Sequence, residues 1–200
     1  ASDWSSDVCS SDLTLAVFAA LLHVETGQTD IVVGTPVAGR SRPELEALIG
    51  VFLNTQVLRL DVSGDPSFRE LLRRVAQTSI AAFERDEVPF ERLVEALQPE
   101  RDLGRNPLFQ VLFHCFTPPD HKAGAALSQP ATVSIDRGTA ILDLSWHLWD
   151  TPDGLRGRVE FSTELFERAT IERQFQRFFW LLTRLPPRPT RFPYTILTEA

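Results

Sequence analysis

The sequence predicts an α+β fold, a two-layer sandwich in which helices cover a sheet. Three observations carry this. Apolar residues recur with helical spacing in some segments and as short strand-like runs in others, a hairpin signal lies in the second half, and the sustained βαβ order of a parallel sheet is missing. No internal repeat is visible.

The elements follow in order. From Thr14, Leu15, Phe18, Leu21 and Leu22 recur at three- and four-residue spacing and Gly27 offers a C-cap, so a helix is expected. A short apolar strand, Ile31-Val32-Val33, runs into a turn at Gly34-Thr35-Pro36. Pro43 opens a short helix through Leu48, and Val51 to Asp61 reads as a buried strand carrying Asn54, Thr55 and Gln56. Asp65-Pro66 supplies the N-cap and first turn of a long amphipathic helix with Phe68, Leu71, Leu72, Val75 and Phe83 on one face. Pro89 starts another helix, Phe90 to Leu97, which Gln98-Pro99 ends. Residues 101–107 form a loop, a strand runs from Phe109 to Phe116, and residues 117–130 read as an exposed, mobile loop. Ile141 to Trp149 and Leu155 to Phe161 flank a turn at 151–154 and make the hairpin. A final helix from Thr170 to Thr183 turns Ile171, Phe175, Phe178, Phe179 and Leu182 inward. The tail, 184–200, holds four Pro and reads as a linker.

Composition bounds the function. Two hundred residues with 43% hydrophobic and 24% charged content suit one soluble globular domain, or at most two small ones, that need no disulfide staples. A net charge of −7 argues against a nucleic-acid groove or an anionic membrane surface as partner, because both require clustered positive charge. Nothing resembles a signal peptide or a membrane span, and two cysteines, Cys9 and Cys115, cannot build a disulfide framework or a zinc site. The expected setting is cytoplasmic and metal-free. The chain contains no Met, so it is expected to begin inside something longer. Lys122 stands against nineteen Arg, a skew that reads as codon bias of a GC-rich genome.

Residues 1–13, ASDWSSDVCSSDL, show no apolar period and read as a disordered or non-native leader. DWSSDVCSSDL, residues 3–13, looks like an in-frame translation of a sequencing-library adapter and is set aside from fold reasoning, with the upstream sequence expected to be lost. The domain is then expected to occupy 14–183.

No complete catalytic set emerges from the residues. Gly34 to Arg40 lacks the Gly-Lys-Ser/Thr ending of a phosphate loop and reads as a turn. None of the four His has a second His or Cys at ligand spacing. His114 and Cys115 are adjacent in a strand and point to opposite faces, so they cannot pair directly. Asp86, Glu87 and Glu91 sit between two helices and read as solvated capping charges. Asn54 is a polar amide in an apolar strand and needs partners. It either bonds neighbouring backbone or borders a binding space, and the sequence leaves both open. Arg59 is expected to pair with a carboxylate, Arg101 and Asp102 to lock a loop as a bidentate pair, and Asn106-Pro107 to shape a turn.

Several ordered segments resemble one family. IVVGTPVAGRSRPELEALIG (31–50), GVFLNTQVLRLD (50–61), DEVPFERLVEAL (86–97), RDLGRNPLFQVLF (101–113) and DGLRGRVEFSTELF (153–166) are similar to the C-terminal half of the condensation domain of nonribosomal peptide synthetases. Gly104 stands where the family often has Ser, and Glu87 where it often has Asp. The resemblance implies a chloramphenicol acetyltransferase-like lobe, the second of two that enclose a tunnel. It implies amide formation between aminoacyl or peptidyl thioesters on the phosphopantetheine arms of carrier proteins, with no cofactor bound directly. Implied partners are those carriers, an N-terminal lobe and an adenylation domain. Implied tunnel residues are Asn54, Arg105 and Asn106, with Arg59, Pro89, Phe90, Glu91, Arg101, Asp102 and Pro107 as structural motif positions. The family's H-H-x-x-x-D-G string does not occur in these residues, so no catalytic residue is assigned and the chain alone is expected to be inactive. Epimerization or heterocyclization domains of the same superfamily, and a non-catalytic carrier-docking module, are the alternatives.

Overall fold

The computed structural model describes residues 9–40, 43–100, 102, 104–116, 138–151, 154–184 and 196–199. These form helices on a mixed sheet, divided into two compact units, Ala1–His114 and Cys115–Ala200.

The first unit begins with α1 (Ser10–Thr26), a helix buried on nearly all sides from Thr14 to Ala19. Gly27 ends it in the left-handed region (φ 72°), its N–H returning to the His23 carbonyl. The helix starts four residues earlier than the sequence suggested. Thr14 Oγ1 donates to the Ser10 and Ser11 carbonyls and Asp12 is buried, so Ser10–Leu13 of the segment read as a leader are helical.

Strand β1 (Asp30–Val37) pairs antiparallel with β2 (Asn54–Asp61) along its full length and parallel with β3 (Val111–Phe116) at Gly34 and Leu112. The expected turn at 34–36 is therefore strand. Gly34 is there for space, since a Cβ on it would sit 2.3 Å from the Phe109 ring. Conversely, the strand expected from Val51 starts only at Asn54, because Val51 and Leu53 project into solvent and pair with nothing in the sheet.

Helix α3 (Phe68–Phe83) buries Leu71, Leu72 and Val75, while Phe83 is exposed. Its cap is Ser67, not Asp65: Ser67 Oγ accepts from the Glu70 N–H at 3.3 Å, and Asp65 takes a left-handed φ of 48° before it. Short α2 (Pro43–Glu46) lies in the connection between β1 and β2, and α4 (Phe90–Leu97) follows α3 with the bounds its sequence implies. The stacked Phe18 and Phe113 rings, 4.8 Å apart, join α1 to β3 within the core.

In the second unit β4 (Leu144–Thr151) and β5 (Gly154–Phe161) form the expected hairpin. Helix α5 (Arg168–Arg184) covers one face with the five residues its period selected, all buried. Trp146 meets Phe175 and Phe178 at 5.2 and 5.1 Å. Gly157 makes room for Phe175, whose ring a Cβ there would meet at 2.7 Å. Part of the tail read as linker is strand: β6 (Ile196–Glu199) pairs parallel with β5. Residues 117–130, expected as a mobile loop, lie outside the described residues, as does Arg101.

Candidate functional site

The end of β1 and the start of β2, joined in register at Val37 and Asn54, open on a cleft in the first unit. Its volume is about 370 Å³, and Gly39, Phe52, Leu53, Asn54, Thr55, Asp86, Glu87, Pro89, Phe90 and Glu91 line it. Residues from three stretches of sequence, 39–55, 86–89 and the first turn of α4, thus converge.

Asn54 organises the cleft. Its Nδ2 donates to the Asp86 carbonyl at 2.9 Å and the Val88 carbonyl at 2.7 Å. Its Oδ1 accepts from the Phe90 N–H at 3.1 Å and the Thr55 N–H at 2.9 Å. A primary amide offers two donors and one oxygen with two lone pairs, so backbone engages its full capacity. Phe90 opens α4, where N–H groups lack helical partners and Pro89 has no side chain able to cap. Asn54 supplies that cap from a strand.

Arg40 holds the other wall. Its guanidinium donates to the Leu45, Leu48 and Gly50 carbonyls and lies 4.3 Å over the Phe52 ring. Those carbonyls belong to the short α2 and the loop after it. Gly39 precedes it at φ 57°, and a Cβ on it would fall 2.0 Å from the Phe52 carbonyl oxygen. From sequence alone, Gly39 and Arg40 stand only at the end of the segment compared with a phosphate loop and read as part of a turn.

The remaining motif residues connect to this cleft or stand apart from it. Asn106 Oδ1 accepts from the Leu108 and Phe109 N–H groups at 3.1 and 3.3 Å, and its own carbonyl accepts from Gln110 Nε2 at 3.0 Å. It thereby seats Phe109, whose ring packs over Gly34 and meets Phe90 edge-on at 5.8 Å. Pro107 follows Asn106 on the exposed side of this turn, and Arg105 is also exposed. Asp102 Oδ1 accepts from the Gly104 N–H at 2.8 Å, so glycine is accommodated where the family often has Ser. Arg59 lies away from the lining, forking onto Asp30 at 2.8 to 3.1 Å. Their hydrogen bonds hold the Asp30 carboxyl below its usual range.

Chemically the cleft presents three carboxylates and one hydroxyl over an apolar bed of Phe52, Leu53, Pro89 and Phe90. In the second unit, His147 lies opposite Arg158 across the hairpin and stacks on Trp149 at 6.4 Å. Burial pushes its pKa down, against the pull of Glu160. Among the described residues no cluster of His, Cys, Asp and Glu could hold a metal, and no helix is long and apolar enough to cross a membrane.

Comparison with known proteins identifies the family. The model of the condensation domain matches residues 5–196. The chain belongs to the condensation domain family.

The segments that mark this condensation-domain chain, 31–61, 86–97 and 101–113, are those that build or buttress the cleft. The dimodular nonribosomal peptide synthase of Bacillus subtilis (strain 168) is 43% identical over 174 residues, 82% of this chain and 7% of the synthase. Malpinin synthetase of Mortierella alpina is 43% identical over 159 residues, 80% of this chain and 2% of the synthetase. Among solved structures, a four-domain nonribosomal peptide synthetase matches with a TM-score of 0.76 and 24% identity over 92% of this chain and 15% of that one. The X-domain from teicoplanin biosynthesis, solved with OxyB, matches with a TM-score of 0.74 and 26% identity over 94% of this chain and 42% of that one. The chain therefore spans only a small part of the synthetases it resembles, and the chloramphenicol acetyltransferase-like fold class holds.

Proposed function

We propose that this chain is the C-terminal, acceptor-side lobe of a condensation domain that joins carrier-tethered aminoacyl or peptidyl groups. In that reaction the amine nitrogen of one tethered aminoacyl group attacks the thioester carbonyl carbon of the other. A C–N bond forms, the C–S bond breaks, and the proton lost by the amine balances the thiolate released as thiol on the phosphopantetheine arm. The observation that carries the reading is the family match over residues 5–196. The match to about two fifths of an X-domain chain supports one lobe of two. The start of α1 at Ser10, strand β6 and the family match over residues 5–196 support a lobe that reaches beyond 14–183 at both ends, with an adenylation domain as a further partner. Carrier domains on phosphopantetheine arms are the partners.

In this reading the lobe contributes shape and positioning. Asn54 and Arg40 hold two connections rigid, Asn106 seats Phe109 beneath them, and Arg105 meets a tethered substrate from the exposed side. Bond-making groups reside in the His-rich string of the other lobe. The test is to supply donor and acceptor carriers loaded with amino acids to the purified chain alone and fused behind an N-terminal lobe. Dipeptidyl thioester should form only in the fusion. Product from the chain alone, or none from a folded fusion, overturns the proposal. The second outcome, with carriers still bound, would favour a docking module.

A further inference from the structure

The hairpin of the second unit has two unlike faces. Leu144, Trp146 and Leu148 of β4 are buried with Leu155, Val159 and Phe161 of β5, and Trp146 packs on Phe175 and Phe178 of α5. Strand alternation puts Ser145, His147 and Trp149 on the opposite face, with Arg156, Arg158 and Glu160 of β5. The register sets Ser145 across from Glu160, His147 across from Arg158 and Trp149 across from Arg156.

His147 therefore sits, half-buried, in a small cluster of charge and aromatic rings. Arg158 is its direct partner across the hairpin, and Glu160 is the diagonal one. Those two form an ion pair of 3.8 Å, long for such a contact, with side chains only 28% and 27% exposed. The next residue on the same face of β4 is Trp149, which stacks on the imidazole at 6.4 Å and on Phe116 of β3 at 6.0 Å. On the far side of β5, β6 sets Glu199 at the register position of Glu160, and α5 covers the other face of the sheet. Burial opposes a proton on His147, Glu160 attracts one and Arg158 repels it.

A proton on the imidazole changes this balance. Two cations then stand directly across the hairpin from one another, a pairing that destabilises a sheet, and partial burial leaves their repulsion little screened. Glu160 is placed to answer the new charge, and moving toward His147 draws it off Arg158.

We infer that His147 is a proton switch in the β4–β5 hairpin: its protonation transfers Glu160 from Arg158 to His147 and loosens the pairing of the two strands. The deprotonated form keeps the Arg158–Glu160 pair and the closed hairpin. A histidine whose proton is disfavoured by folding adds stability above its unfolded value of 6.5 and loses it as the pH falls below that. One proton taken up on opening changes the opening equilibrium by at most about tenfold per pH unit.

The test is NMR of the whole chain between about pH 8 and about pH 5, following the His147 ring and the amide protection factors of β4 and β5. The parent is compared with His147→Gln, Glu160→Gln and Arg158→Gln, each verified as folded by circular dichroism. Hairpin protection is expected to fall below pH 6.5 in the parent, by up to about tenfold per unit, and to stay level in His147→Gln. Glu160→Gln should move the His147 midpoint down and Arg158→Gln should move it up. If His147→Gln does not fold, the parent's ring titration and protection profile, with the opposite shifts of the other two variants, still decide the matter. A His147 midpoint at or above 6.5 overturns the switch, as does a ring that titrates while hairpin protection stays level. So does a folded His147→Gln variant that keeps the parent's pH dependence. Equal midpoints in the parent, Glu160→Gln and Arg158→Gln overturn the exchange of partners.

Discussion

Asn54 shows how one side chain can be wholly committed to architecture. Its amide bonds four backbone groups from the 54–55 step, the α3–α4 connection and the start of α4. Replacing it with Ala leaves these donors and acceptors without their partner, and because Asn54 is half-buried a loss of about 1 kcal/mol in urea unfolding is expected, the low end of the about 1–3 kcal/mol an unsatisfied buried group costs. Asn54→Asp keeps the acceptor but turns an oxygen on the Asp86 and Val88 carbonyls, so it should also destabilise. A variant as stable as the parent would show that the amide is dispensable to the fold and free for a ligand. Gly34→Ala forces a Cβ into the Phe109 ring, for which about 1–3 kcal/mol is expected by the same measurement. Glu70 provides a pH test: hydrogen bonds from Arg73 and then Arg74 pull its carboxyl from the ordinary 4.5 to about 2. A carboxyl depressed on folding adds stability above its unfolded value and loses it as pH falls through the folded one. The window is therefore from about 4.5 down to about 2, and an NMR titration of Glu70 at an ordinary value would refute the geometry.

Elements depend on their ends and on one packed face. Helix α1 ends because Gly27 takes a positive φ, with no atom near enough to obstruct a Cβ, so Gly27→Ala tests backbone strain alone. About 1 kcal/mol is expected, with Gly27→Asn costing less because Asn tolerates the left-handed region. Helix α5 holds its sheet through aromatic packing. Phe178, fully buried and edge-on to Trp146 and Phe179, should cost about 3–5 kcal/mol on truncation to Ala, read as a lowered melting temperature. The period of α5 was plain in the sequence because one apolar stripe faces one layer. Strand β1 was harder: Gly34 and Pro36 are turn formers, and only pairing with Val57 and Thr55 across β2 shows that they sit in a ladder. The N-cap of α3 falls at Ser67 and not at the expected Asp65 for a related reason, since hydrogen-bond geometry and the positive φ of Asp65 decide it.

At the scale of the molecule, the first unit leaves apolar side chains in solvent. Ile49, Val51 and Leu53 follow α2 at 105%, 90% and 68% exposure, and Val88 and Leu97 are exposed along the next connection and helix. Solvent-facing apolar residues grouped this way mark an interaction surface. Concentration-dependent self-association is expected in light scattering, reduced in an Ile49→Ser/Val51→Ser/Leu53→Ser variant. A monodisperse parent at all concentrations would speak against it.

The sequence alone determined the α+β class, the order of most elements, the inward face of α5, and the family, because these rest on local period and on ordered motifs. It also marked Asn54, Pro89, Phe90, Glu91 and Asn106 as belonging to meaningful segments. Tertiary structure decided what those residues do: that Asn54 caps α4 from a strand, that Asn106 reaches the cleft through Phe109, that Arg59 instead forks onto Asp30, and that Arg40 braces a wall. The division has one physical cause. Periodicity and turn chemistry are written in neighbouring residues, whereas a hydrogen bond between positions 54 and 90 depends on how the chain returns on itself.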